Sequence, residues 1–201
     1  MIDYIVIGSI SILVLISIGE LIRQNRQGRE KALTENNSTA SPPPEKSIRR
    51  DFRHRKFEDG NLTENGLDNC ELEQSTFEHL DLPLYFSFSD SNLNNVRFFN
   101  VGMEKSTFYN SRMYDVHFNQ CNLEKLKFQG AHCELWFENT YLDRARFTKL
   151  NYMDLNFRNC VIDECDFEGS TGSVTVRDSI IKLMSESDFP NSTQFVDCEF
   201  R

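Results

Sequence analysis

Residues 88–128 read FSDSNLNNVRFFNVGMEKSTFYNSRMYDVHFNQCNLEKLKF, and a large apolar side chain stands at every fifth position: Phe88, Leu93, Phe98, Met103, Phe108, Met113, Phe118, Leu123 and Phe128. Two residues before seven of these nine, the side chain is small: Ser91, Val96, Val101, Ser106, Ser111, Val116 and Cys121. The other three positions of each unit are mostly polar. An α-helix repeats every 3.6 residues and a flat strand every two, so neither yields a period of five. A coil that turns one corner per five residues does, with two residues inward and three outward.

Worked outward, the series runs N-terminally through Leu82, Phe77, Leu72, Leu67, Leu62 and Phe57 to Phe52, with one extra residue around Pro83–Phe86. C-terminally it reaches Cys133, loses one residue, and resumes as Phe137, Leu142, Phe147, Tyr152, Phe157, Ile162 and Phe167. That makes 24 units. Counting from Phe52 as the first, 11 of the 12 even-numbered units carry Phe at the centre, against 1 of the 12 odd-numbered ones. With four units per coil, two opposite sides are lined with stacked Phe and the other two with Leu, Met or Ile, so large and medium side chains share one narrow interior at close-packed density. This accounts for 17 Phe beside a single Trp.

Units such as Ser91-Asn92-Leu93-Asn94-Asn95, Cys121-Asn122-Leu123-Glu124-Lys125 and Cys165-Asp166-Phe167-Glu168-Gly169 resemble the pentapeptide-repeat family, whose units read roughly A-(D/N)-L-x-x. The resemblance implies an all-β solenoid over residues 50–169, a right-handed quadrilateral β-helix of about six coils. At about 4.8 Å between stacked strands the rod is roughly 29 Å long. Bulky Leu80, Phe86, Leu126, Leu135, Leu150 and Leu155 occupy the small position and mark places where the coil is distorted. Residues 170–201 form a C-terminal capping segment. In it Asp178 is placed to cap a short helix through Met184, and Thr193–Phe195 and Cys198–Phe200 return to the pentad pattern as a last partial coil. A projecting partner-binding loop over 170–192 is the alternative.

The N-terminal part is of another kind. Tyr4–Gly19 carries no charge, and Leu21 and Ile22 extend the run past Glu20. As a helix Tyr4–Ile22 spans roughly 28 Å, the thickness of a bilayer's hydrocarbon core. No basic n-region precedes it and no A-x-A-like site follows, so residues 1–22 read as a single transmembrane helix and not as a cleaved signal. Arg23, Arg26, Arg29 and Lys31 follow it, which gives an N-out/C-in orientation in a bacterial inner membrane with the repeats in the cytoplasm. Gly8, Ser9, Ser11, Ser17 and Gly19 leave room for two such helices to approach, the basis for a homodimer. Residues 23–49, with Pro42-Pro43-Pro44, are a basic, Pro-rich flexible linker containing a short stiff spacer.

Charge and side-chain chemistry then bound the function. The chain has a formal charge of −9 and a mean hydropathy of −0.51. Residues 51–201 hold 15 Lys and Arg against 26 Asp and Glu, a net −11, which disfavours direct nucleic-acid binding. Six Cys are compatible with three disulfides, but five (70, 121, 160, 165, 198) fall at the small inward position and Cys133 at the large one, so they read as reduced core residues. His54, His79, His117 and His132 all fall outward, with no zinc-type spacing. The acidic knot of Asp163, Glu164, Asp166 and Glu168 reads as a solvated corner. No nucleophile–base motif, phosphate-binding loop or cofactor fingerprint appears, so no catalytic, cofactor or metal residue is assigned and the chain is read as a non-enzyme. The expected function is a membrane-tethered protein–protein interaction scaffold with an unknown protein partner. The family resemblance implies an alternative, an acidic DNA mimic that binds and protects a type II topoisomerase. Grouped by side, the units sum to −3, 0, −4 and −1, with Lys105, Lys125 and Arg144 interrupting the most acidic side.

Overall fold

The computed structural model describes residues 49–58, 62 and 66–201. The expected membrane helix (1–22) and nearly all of the linker (23–48) lie outside the described residues. Residues 49–201 form one compact unit, a parallel β-solenoid of about seven turns. Its longest sheet has eight parallel strands, Lys56–Glu58, Thr76–Asp81, Arg97–Gly102, Arg112–Asn119, His132–Glu138, Met153–Arg158, Gly172–Arg177 and Thr193–Val196, each bonded to the next. Shorter ladders build the other sides: Thr107–Tyr109, Lys127–Gln129 and Arg146–Thr148 on one, and Tyr141–Asp143, Val161–Asp163, Ile180–Lys182 and Glu199–Phe200 on another.

A residue's position in its pentad decides what it does. The central and small residues are buried along the stack, including Leu93, Val96, Phe98, Val101 and Met103, all at 0–1% exposure. The residue two after each centre turns the corner with positive φ, as in Asp90, Asn95, Asn100, Lys105, Asn110, Asp115, Gln120 and Lys125 at 52–59°. Asn, Asp and Gly tolerate this left-handed conformation best, which explains their frequency there. The corner at Asn95 is tied by two backbone bonds: Val96 N–H donates to Leu93 O within the turn (3.2 Å), and Asn95 N–H donates to Tyr114 O of the next coil (2.8 Å).

The Phe columns form as the alternation predicts. Phe57, Phe77, Phe98, Phe118, Phe137 and Phe157 stack at 4.5–5.0 Å with interplanar angles of 3–19°. Phe88, Phe108, Phe128, Phe147 and Phe167 stack opposite them at 4.8–5.2 Å. The two columns meet edge-to-face across the interior, for example Phe108 and Phe118 at 6.1 Å and 89°. Each ring thus has parallel neighbours along the rod and perpendicular ones across it, geometries worth about 0.5–1.5 kcal/mol per pair beyond area burial.

The period changes at three places. The residue inserted at Pro83–Phe86 widens one corner and pushes Leu84 and Tyr85 outward, 55% and 68% exposed. The residue missing after Cys133 removes a corner altogether. Cys133, Leu135 and Phe137 alternate inward along a straight strand, opposite a preceding strand that keeps one more residue, so the register shifts between Met113 and Val116. Leu155 and Val174 continue that straightened face, which is how bulky side chains fit the small position there. The third change corrects the periodic reading. Tyr152 is not inward: it is 84% exposed with φ +58°, and Met153 takes the interior place at 1% exposure. One residue is inserted at that corner too.

The C-terminal segment corrects a second expectation. No helix starts at Asp178. Asp178 is a left-handed corner (φ +51°), and Ile180–Lys182 is a strand paired with Val161–Asp163. The pentad spacing Val176, Ser179, Ile181 overrides the weak helix signal because each inward residue finds a rung to pack on. The coil therefore continues regularly to Met184. A single 3₁₀ turn, Glu186–Asp188, follows, closed by the Ser185 N–H donating to Asp188 Oδ2 at 2.7 Å. It delivers Phe189 over Phe167 at 5.0 Å, extending the second Phe column beyond the last regular pentad.

Candidate protein-binding surface

The inward hydrogen-bonding side chains serve the fold. Small-position hydroxyls donate to a carbonyl one coil back: Ser91 Oγ to Leu67 O (2.7 Å), Ser111 Oγ to Phe88 O (2.6 Å) and Ser75 Oγ to Phe52 O (2.6 Å). They also accept from the coil before, as Ser111 does from the Ser91 N–H (3.1 Å). The thiols of Cys121, Cys160, Cys165 and Cys198 take the same place, pointing at Phe98 O, Phe137 O, Leu142 O and Val176 O at 3.3–3.7 Å. Five of the six Cys are buried and Cys198 is half-buried. Burial pushes the thiols of Cys121, Cys133 and Cys165 up to about 12 and that of Cys160 to about 11, so they stay protonated at neutral pH. A nucleophilic or metal-binding cysteine needs the opposite, a stabilised thiolate.

Outside, the candidate chemical residues do not converge. His54, His79 and His132 are exposed and His117 half-buried, each on a different strand or corner. His117 Nε2 meets Asp115 Oδ1 at 2.9 Å and His79 Nδ1 meets Asn100 Nδ2 at 3.0 Å. Among the described residues no group of three or more His, Cys, Asp or Glu is arranged to hold a metal. The acidic knot spreads over two sides: Glu164 lies 3.6 Å from Arg144 and Asp166 3.9 Å from Arg146.

Charge on the most acidic side is paired on three successive rungs. Glu104 meets Lys105 at 2.9 Å, Glu124 meets Lys125 at 2.5 Å, and Asp143 meets Arg144 at 2.8 Å. The Arg144 guanidinium holds the Asp143 carboxyl below its ordinary range. Beyond Arg144 the pattern breaks, since Asp163 and Glu164 follow one another with no cation between them.

The side carrying the eight-stranded sheet presents a groove of about 620 Å³ along the stack from His117 to Asp178. It is lined by the row His117, Trp136, Asn156 and Thr175 and by the row Asn119, Glu138, Arg158 and Arg177, with Phe118, Phe137 and Phe157 between them in sequence. The Trp136 ring is 40% exposed and stacks on His117 at 5.9 Å and 9°. Sequence reasoning did not single out this groove. Its signal was present, because the chain's one Trp sits directly before the central Phe137, an outward position.

No family model and no curated protein matches the sequence. Among solved structures, the chain is similar to QnrB1, described as a plasmid-mediated fluoroquinolone resistance protein, at 16% identity over 76% of this chain and 90% of that one, with a TM-score of 0.42. It is similar to Rfr23, a pentapeptide-repeat protein of the cyanobacterium Cyanothece 51142, at 13% identity over 55% and 88% of the two chains, with a TM-score of 0.28. A third likeness is to HetL of the cyanobacterium Nostoc sp. strain PCC 7120, a pentapeptide-repeat protein involved in heterocyst differentiation regulation, at 11% identity over 77% and 76%, with a TM-score of 0.24.

Proposed function

We propose that this chain is a membrane-tethered, non-enzymatic scaffold that binds a protein partner along the outer rows of its rod. The carrying observation is the division of labour within each pentad. The inward residues are consumed by packing and backbone bonding, while the three outward residues form rows with a fixed spacing of about 4.8 Å per rung. Such a surface presents side chains to a partner at almost no ordering cost. The uncharged run Tyr4–Gly19 with its basic flank supports the tether.

Membrane fractionation tests the tether. The full chain is expected in the membrane pellet and resistant to alkaline carbonate, and release by carbonate overturns the spanning helix. A reporter fused after Arg201 is expected to be active only in the cytoplasm.

The net −11 of residues 51–201 favours a second reading, an acidic rod standing in for DNA on a type II topoisomerase. The pairing of Glu104, Glu124 and Asp143 with adjacent cations weakens it, because each pair cancels a phosphate-like charge. Protection of gyrase supercoiling from a quinolone by the purified chain would move the assignment to this reading.

A further inference from the structure

The groove beside Trp136 has two unequal ends. At one end, His117 covers one face of the Trp136 ring and is itself fixed by Asp115. The next rung places Asn156 in register with Trp136, and the rung after places Thr175 in register with Asn156. Both are short, the Asn156 amide turns to Asp154 Oδ1 at 3.2 Å, and the indole is 40% exposed where it lines the groove. At the other end, Arg158 and Arg177 are register partners on adjacent strands, two like charges side by side. Arg158 reaches a carboxylate only at 4.0 Å (Asp178), and Arg177 has no ion pair among the described residues. Glu138 is the register partner of Arg158 on its other side; its carboxylate accepts from Asn119 Nδ2 at 3.2 Å and closes no ion pair with either guanidinium among the described residues. Like charges directly opposite on a sheet are destabilising, so the isolated fold gains nothing from this pair.

We infer that the groove binds an extended, acidic peptide segment of a partner protein, with an apolar or aromatic side chain on the exposed indole of Trp136 and a carboxylate on Arg158 and Arg177. The inference rests on the protein-binding function proposed above. Spacing sets the motif. Arg158 lies one rung and Arg177 two rungs beyond Trp136, about 5 and 10 Å, and an extended chain advances about 3.3 Å per residue. The acid therefore stands one to three positions from the apolar residue, on either side of it in sequence according to the direction in which the segment lies. A carboxylate suits two adjacent guanidiniums, which grip planar anions at two points. Trp and Arg are among the residue types enriched where protein interfaces are anchored. Net charge separates a peptide from a polynucleotide: a rod at −11 repels a phosphate backbone along its length, but this side sums to zero and admits one or two carboxylates.

The test is selection from a random heptapeptide display library on the immobilised full chain in detergent micelles. Selected sequences are expected to place Asp or Glu one to three residues from an aromatic or apolar residue, in one consistent order, and synthetic versions to shift the fluorescence of Trp136, the chain's single Trp, saturably. The double variant Arg158→Gln/Arg177→Gln, at exposed sites, is expected to keep its circular dichroism and weaken those peptides by about tenfold or more. Peptides that lack the motif, or that bind the variant undiminished, overturn the groove while leaving the scaffold reading in place. Enrichment of no sequence overturns both. A single-stranded oligonucleotide that displaces the peptides at equal concentration assigns the groove to nucleic acid and overturns the proposal.

Discussion

Phe118 and Asn119 are neighbours in the chain, yet one is 1% exposed between two stacked rings and the other faces outward with its amide on Glu138. Phe118→Ala is expected to cost about 3–5 kcal/mol, because rings stacked on both sides keep the cavity from collapsing. Asn119→Ala is expected to stay within about 0.5 kcal/mol. Denaturant unfolding measures both, and equal effects would mean the pentad phase is misassigned. A second contrast concerns two serines at the small position. Ser111 donates to Phe88 O and accepts from Ser91 N–H, whereas the buried Ser106 Oγ has no hydrogen-bond partner among the described residues. The counterpart carbonyl for Ser106 belongs to Leu82, at the start of the widened corner. Ser111→Ala should lower stability by about 1–3 kcal/mol and Ser106→Ala should be neutral or stabilising by up to about 1 kcal/mol. A larger loss at Ser106 than at Ser111 would contradict the bonding described. The inward residues were the legible ones, because burial leaves a five-residue signature that survives in composition alone.

Corners and straight faces were harder to read. The deletion after Cys133 was visible as a change of spacing, but the insertion at Tyr152 was not, because Tyr and Met are both large and the count alone cannot choose between Tyr152 and Met153. Backbone conformation decides it: Tyr152 falls at the corner, φ +58°, and is expelled. The helix expected after Asp178 failed for a related reason, since a residue suited to an N-cap is equally suited to a left-handed corner. Corner strain leads to a prediction at Leu183, which holds φ +51° while 74% exposed. Leu183→Gly relieves the steric cost of Cβ, about 1–2 kcal/mol, against roughly 0.5–1 kcal/mol of added unfolded-state entropy. A rise in denaturant midpoint is the expected outcome, and a fall would show that Leu183 makes contacts worth more than its strain. The groove escaped a reading based on the interior alone, because its walls join outward residues about 20 positions apart on successive strands.

For the rod as a whole, the buried thiols make stability depend on alkaline pH. Their folded values, about 11–12, lie above the ordinary thiol value of about 8.5. The folded state thus prefers the protonated thiol. This contribution is fully present below about pH 8.5 and is lost as pH climbs towards 12, when the unfolded chain ionises first. Thiol reagents at pH 8 are expected to label Cys198, the one half-buried cysteine, first, and the other five only at the rate of unfolding. Replacing Cys121 and Cys165 by Ala should flatten the loss between pH 9 and 12, and an unchanged slope would place its origin elsewhere.

The missing corner residue behaves like a dislocation in a crystal. Above the fault, Met113 to Phe118 takes five steps; below it, Cys133 to Phe137, Met153 to Phe157 and Gly172 to Val176 each take four, through to the last full coil. A rung that regained the residue would find no corner beneath it to rest on, so the shortened lattice is inherited by every layer grown after the fault. The additions at Leu84–Tyr85 and at Tyr152 are point defects: the extra atoms are extruded sideways and the next layer is laid down as before. Editing such a chain is therefore asymmetric. One residue can be added at a corner of any single layer and will surface as a bump, but one can be removed only by reindexing every layer that follows.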